Sequence, residues 1–196
     1  DPTSAQGLLQ VFNQVAIGAT MGLVMQIVVA AVVLGGQSIS SAMGLSMANM
    51  IDPNLGSVPV ISQFLLVLAS LIFVGFGGHA ILLAIVSESF TTIPIGTSIL
   101  SQALLGKVVQ WSSMMFLGAL LMALPVMVFL LFINVGLGIV TRAAPSLNIF
   151  AVGFPAMMLA GFLVLIVSMD AVGGRIDWLW MQAFGVVREM TGVGRV

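Results

Sequence analysis

The 196-residue chain contains no cysteine and no tyrosine, and charge is scarce: five Lys or Arg, six Asp or Glu and one His. Without cysteine there is no disulfide framework, no thiolate ligand for a metal and no thiol nucleophile. Five basic residues and a formal net charge of -1 leave no electrostatic footprint for nucleic acid. Only 6% of the residues are charged, against about a quarter in soluble domains. What is present instead is apolar, with 60% hydrophobic residues and a mean hydropathy of +1.25. The composition is that of a membrane protein.

The few charges leave long neutral intervals. With His79 neutral there is none between Asp52 and Glu88, none between Lys107 and Arg142, and none between Arg142 and Asp170. Each interval accommodates a helix of the roughly 20 residues that a bilayer requires. The first apolar run, Val15 to Leu34, carries Gly18 and Gly22 as a close-packing pair, and Gln26, whose amide is costly in hydrocarbon without a partner and is expected to face a neighbouring helix. The second, Pro59 to Val86, is long enough for one tilted span or two helices broken near Gly75-Phe76-Gly77-Gly78. The third, Val108 to Val140, exceeds one untilted crossing; Trp111 suits an interface, Pro125 predicts a kink or a re-entrant break, and Asn134 is expected to bond across helices. The fourth ends near Met169 and starts at Phe154, or at Ile149 if it is to span.

The connecting stretches are distinctive. Residues 36–59, from Gly36 to Pro59, are small and polar with a single charge, Asp52, and predict a short helix broken at Asp52-Pro53, held inside protein or lining a water-filled path. Ile39, Met43, Met47 and Met50 form an apolar stripe at helical spacing there. Ser89 to Lys107 predicts a turn at Pro94-Ile95-Gly96 and a short amphipathic helix capped by Ser98, with Ile99, Leu100, Ala103 and Leu104 as its apolar positions. From Asp170 onward the character changes, with six of the eleven charged residues between Asp170 and the end, Asp170 included. Ile176, Trp180, Phe184 and Val187 mark one face of an amphipathic helix at about 175–190 that lies on a membrane or packs on a partner, and Arg175, Arg188 and Arg195 favour a cytoplasmic C-terminus.

No catalytic constellation is legible. Asp52, His79, Glu88, Asp170 and Asp177 are dispersed, and there is no Walker-type GxxxxGK[ST] sequence. His79 and Glu88, nine positions apart, share no face at one or two helical turns, so a capping, packing or inter-subunit hydrogen bond is the reading for His79 ahead of a proton relay. The expectation is a protein that is not an enzyme and holds neither cofactor nor metal.

Three stretches together carry a family resemblance: GxxxxxxMGLSMANMIDPNLG at 36–56, GHAILLAIVSESFTTIPIG at 78–96 and LPVMVFLLFINVGLGIVTRAAPSLNIFAVGFPAMMLAG at 124–161. In the last of these, Asn134, Gly138, Arg142, Ala144-Pro145, Leu147-Asn148, Phe150 and Gly153-Phe154-Pro155 occur in combination. The chain resembles the FliR family, membrane components of the export gate in the bacterial flagellar type III secretion system, to which the injectisome SctT proteins are related. Gly153-Phe154-Pro155 is nearer the flagellar branch, and Ser146 departs from a glutamine common in the family.

The resemblance covers Val11 to about Arg188 and implies an all-α membrane protein of long, broken helical hairpins forming a single FliR-like domain over 1–196. It further implies about two additional helices ahead of this sequence in the whole protein, and an inner-membrane location in the basal body. The implied partners are five copies of FliP and four of FliQ around one FliR, with FlhB and FlhA alongside, and unfolded flagellar export substrates as cargo; lipid or detergent covers the outside. A loop at about 46–58, centred on Met50, Ile51, Asp52, Pro53, Asn54, Leu55 and Gly56, corresponds to the family's channel plug, with Met43 and Met47 as its support. Gln26, His79, Glu88, Asn134, Arg142 and Asn148 are the candidates for polar contacts between helices or subunits. The alternative from a different class is an independent secondary transporter for a small solute, motivated by the Gly-rich break, Pro125 and the scattered His79, Glu88 and Asn134. Saturable solute movement by the chain reconstituted alone separates the two.

Overall fold

The structure, a computed structural model, describes residues 4–45, 59–93, 102–143 and 149–193. The regular elements among them are helices: α1 (Ala5–Ala42), α2 (Val60–Gly75), α3 (Gly78–Thr92), α4 (Gln102–Ala143), α5 (Ile149–Val167) and α6 (Met169–Thr191). α1 and α4 are each long and apolar enough to cross a membrane, and the bent pairs α2–α3 and α5–α6 add two more spans if each pair is counted as one. The all-α membrane fold expected from the sequence is therefore present.

The core is the seam between α1 and α4. Trp111 of α4 donates its indole N–H to the carbonyl of Val24 at 3.1 Å, and further along both helices Ala119 and Met122 meet Gly35. Residue numbers rise together along this contact, so the two helices run parallel and the α2–α3 pair is the crossover between them. Gly35-Gly36 is not punctuation between two helices, as the composition of 36–59 suggests, but the middle of the contact. A side chain at Gly35 would strike Met122 and lie 3.2 Å from the Ala119 carbonyl, and one at Gly36 would stand 2.6 Å from Cα of Ser62 on α2. The Ser62 hydroxyl donates to the Val33 carbonyl at 3.0 Å, fixing the start of α2 on α1. The glycines thus lose helix propensity and gain two close backbone approaches.

α6 closes the bundle. Ile176, Leu179, Trp180, Ala183, Phe184 and Val187 are buried, while Asp177 and Arg188 are exposed, so the apolar face read from the sequence is real. Its partner is the chain itself: α6 packs on α1, α2, α3 and α4. Leu179 fills the space above Gly118, where an added Cβ would lie 2.8 Å from its Cδ2. Trp180 donates its indole N–H to Ala69 of α2 at 3.2 Å, and Phe73, Phe76, Trp180 and Phe184 form one aromatic cluster, with Phe73 and Trp180 centroids 4.7 Å apart.

The break expected near Gly75–Gly78 occurs at Phe76-Gly77, where α2 and α3 meet at 63°. Gly77 has φ +76°, a left-handed conformation that other residues rarely adopt. No break occurs at Pro125: α4 is helical on both sides of it, because Met122, Ala123 and Val126 are fully buried and hold the two turns in place despite the missing N–H. Residues 102–107 are the first turns of α4 rather than a separate interfacial helix, and Trp111 is buried at the seam rather than placed at an interface. The fourth run begins at Ile149, with Pro155 in its second turn.

The seam yields a stability test. Gly36→Val is expected to destabilise the chain by about 1–3 kcal/mol through overpacking against Ser62. Gly18→Val, where a side chain meets nothing within 4 Å, is expected to leave thermal unfolding of the detergent-solubilised chain nearly unchanged. Equal effects of the two substitutions would contradict the packing described.

Candidate functional site

The end of α1 opens onto a cleft of about 410 Å³ between α1, the second half of α4 and the start of α5, lined by Ser41, Ala42, Met43, Gly44, Asn134, Leu137, Gly138, Gly153, Phe154 and Met157. A second groove of about 340 Å³, running down α4 past Leu120, Leu124, Met127 and Leu131, shares Ala42 and Asn134 with it. α1 ends there in a Schellman-type cap: the Leu45 N–H donates to the Ser40 carbonyl at 3.1 Å and the Gly44 N–H to Ser41 at 3.0 Å. Gly44 has φ +79°, and a Cβ on it would lie 3.6 Å from the Phe154 ring. The cap thereby turns the chain out of α1 at the rim of the cleft.

Met43 is fully buried and packs into the notch left by Gly161 of α5, where an added Cβ would fall 2.5 Å from its Cγ. Asn134 is exposed, an amide on an otherwise apolar stretch of α4, and it faces both the cleft and the groove. These two sequence-predicted residues are brought to one place. The others are not. Gln26 is exposed on α1, His79 and Glu88 are exposed on α3, and Arg142 is exposed in the last turn of α4, where a cation suits the helix C-terminus. Met47, the plug candidates Met50, Ile51, Asp52, Pro53, Asn54, Leu55 and Gly56, and Asn148 lie outside the described residues.

Sequence reasoning did not single out Gly44, Leu137, Phe154 or Met157 as parts of one cleft. Phe154 was visible only as part of the Gly153-Phe154-Pro155 signature, whose spatial relation to the end of α1 has no trace in spacing. Among the described residues no titratable side chain lines the cleft, and those that line it offer a hydroxyl, an amide, thioethers and glycine backbone. Among the described residues there is also no group of three or more His, Asp or Glu side chains arranged to hold a metal ion. The arrangement is suited to shape and packing, not to bond-making chemistry.

Comparison with known proteins gives a consistent result. Residues 1–183 match the model of the family described as bacterial export proteins, family 1. The chain is similar to the flagellar biosynthetic protein FliR of Pectobacterium carotovorum subsp. carotovorum, 34% identical over 189 residues that make up 95% of this chain and 72% of the relative. It is also similar to the FliR proteins of Escherichia coli strain K12, 33% identical over 179 residues covering 91% of this chain and 69% of the relative, and of Bacillus subtilis strain 168, 32% identical over 169 residues covering 84% and 65%.

The notch between Met43 and Gly161 can be tested in a chain that has no native cysteine. Gly161→Leu is expected to displace Met43, lower stability by about 1–3 kcal/mol, and speed thiol labelling of a single cysteine introduced at Ser41. Unaltered labelling with unaltered stability would show that Met43 does not seat there.

Proposed function

The chain belongs to the FliR family of bacterial export proteins, a membrane-embedded, non-catalytic component of the flagellar export apparatus in the inner membrane, and from this premise we propose that it forms part of the wall and the plug of the export gate. In this reading unfolded flagellar substrates pass beside it. FliP and FliQ, in five and four copies, pack around its apolar exterior, and FlhB and FlhA work alongside.

One observation carries the assembly reading. From Phe116 to Val140, α4 presents large exposed apolar side chains, among them Phe129, Phe132, Val135 and Ile139. At 1.5 Å per residue this zone is about 36 Å long. A hydrocarbon core is about 30 Å thick, so an upright α4 outruns it and a tilted one fits it. The same uncharged surface suits protein partners with apolar helices. The exposed amides of Gln26 and Asn134 on such surfaces suit hydrogen bonds to those partners, which in lipid would otherwise be missing.

The plug reading rests on the correspondence of residues 50–56 with the family's plug and on the position of the α1 cap, at Met43 to Leu45 on the rim of the cleft. Pro53 restricts the backbone and the methionines can repack, both useful in a seal that must yield and reform.

Deleting residues 50–56 from the full-length protein in its native assembly is expected to raise ion leakage through reconstituted membranes without loss of partner subunits. Unchanged leakage in a correctly assembled complex would remove the plug role. Native mass spectrometry of the same preparation is expected to find one copy with five and four copies of two smaller membrane proteins. Saturable solute transport by the chain alone would instead favour the transporter.

A further inference from the structure

The two faces of α2 are built differently. Its inner face, Ile61, Ser62, Leu65 and Ala69, is buried on α1 and α6, with Ser62 bonded to Val33 and Ala69 to Trp180. Its outer face carries Val60, Phe64, Val67, Leu71 and Val74, 47% to 77% exposed, with the exposed polar residues Gln63 and Ser70 beside them. Exposure at seven-residue intervals follows from helix geometry alone. The sorting of residue types does not. Val60, Val67 and Val74 stand seven apart in one line, Phe64 and Leu71 seven apart along one side of it, and Gln63 and Ser70 seven apart along the other. The segment reads as VISQFLL followed by VLASLIF and VG, with no charge in it.

This order makes a shallow groove. The valine line is its floor, the larger Phe64 and Leu71 raise one wall, and Gln63 and Ser70 form a hydrogen-bonding rim. The Ser70 hydroxyl donates back to the Leu66 carbonyl at 2.9 Å, which leaves its oxygen to accept from an incoming donor. Acyl chains conform to any apolar relief and place no demand on the order of side chains, and an exposed carboxamide is costly in hydrocarbon. A helix has the matching regularity: its ridges recur at the same spacing, and a seven-residue order holds one partner helix in register along the whole of α2, about 24 Å. A second copy joined along this one strip would bury far less than the roughly 800 Å² per partner of a stable complex, and would leave the apolar zone of α4 uncovered on both copies. A helix held in place by the other contacts of its own subunit has no such shortfall.

We propose that the outer face of α2 seats one membrane helix of another subunit, uncharged along the contact, with its apolar ridge on the valine line and amide or hydroxyl side chains seven residues apart facing Gln63 and Ser70. The inference rests on the assembly reading above and adds where one partner helix lies and which side chains it presents, at a surface separate from the exposed zone of α4.

The test uses the full-length protein in its native assembly, with a photo-crosslinking amino acid placed in turn at Val60, Val67 and Val74 and the adduct sites mapped by mass spectrometry. All three positions are expected to join the same co-purifying membrane subunit, at sites in linear order on one of its helices and about seven residues apart. Val67→Trp fills the groove floor at a side chain that is 59% exposed, so the chain's own core is untouched. It is expected to reduce the adducts at Val60 and Val74 about tenfold, with thermal unfolding of the detergent-solubilised chain unchanged. Gln63→Leu is expected to reduce them about two- to threefold, the scale of one hydrogen bond between membrane helices. Lipid adducts at all three positions, adducts to a second copy of the chain, sites scattered over several subunits, or adducts indifferent to Val67→Trp would each overturn the proposal. Native mass spectrometry of the same sample separates the two readings. Partner subunits bound while α2 joins only lipid rejects the α2 seat alone, whereas a chain with no partner bound rejects the assembly reading beneath it.

Discussion

The fold depends on how closely the α1 and α4 backbones approach. In a membrane, helices gain little from hiding apolar surface from one another, because lipid is as apolar as leucine; they associate through dispersion contacts at short range and through hydrogen bonds. Gly35, Gly36 and Gly118 remove the side chains that would hold the backbones apart, and Met122, Ser62 and Leu179 fill the space. Trp111 and Trp180 each tie an indole N–H to a helix carbonyl across a helix–helix contact, at Val24 and Ala69. Once α1 and α4 run parallel at this distance, the α2–α3 pair has to cross between them, and α6 has a groove in which to lie.

That seam also determines what is left uncovered. α5 packs on α4 and touches α6 only lightly, so Leu159, Leu163, Ile166 and Val167 stand exposed beside the outer face of α4. The exposed apolar zone of α4 runs from Phe116 to Val140, interrupted by the neutral amide of Asn134. A subunit of a larger membrane assembly needs this combination: apolar area for partners to cover and isolated hydrogen-bonding groups to set their register.

Much of this was legible in the sequence because it follows from one-dimensional signals. Charge-free intervals located the apolar runs, the Gly75–Gly78 cluster located the elbow, and the spacing of Ile176, Trp180, Phe184 and Val187 located the buried face of α6. What failed depends on partners distant in sequence. Gly35-Gly36 looks like a helix end until Ser62 and Met122 are placed against it, and Pro125 looks like a break until the burial of its neighbours is known. Met43 and Asn134 were separate candidates in the sequence; only the fold brings them to one cleft and leaves Gln26, His79, Glu88 and Arg142 outside it. The family, by contrast, was legible from residue combinations such as Asn134, Arg142 and Gly153-Phe154-Pro155, which periodicity does not explain.

The account's central claim is that protein, not lipid, covers much of α4. The most direct measurement places a photo-crosslinking amino acid at Phe116, Phe132 or Ile139 of the full-length protein in native membranes and identifies the adducts by mass spectrometry. The account predicts crosslinks to other membrane subunits at two or more of the three positions, lost when those subunits are not expressed. Adducts to lipid alone at all three, in cells whose export apparatus is assembled, would contradict it.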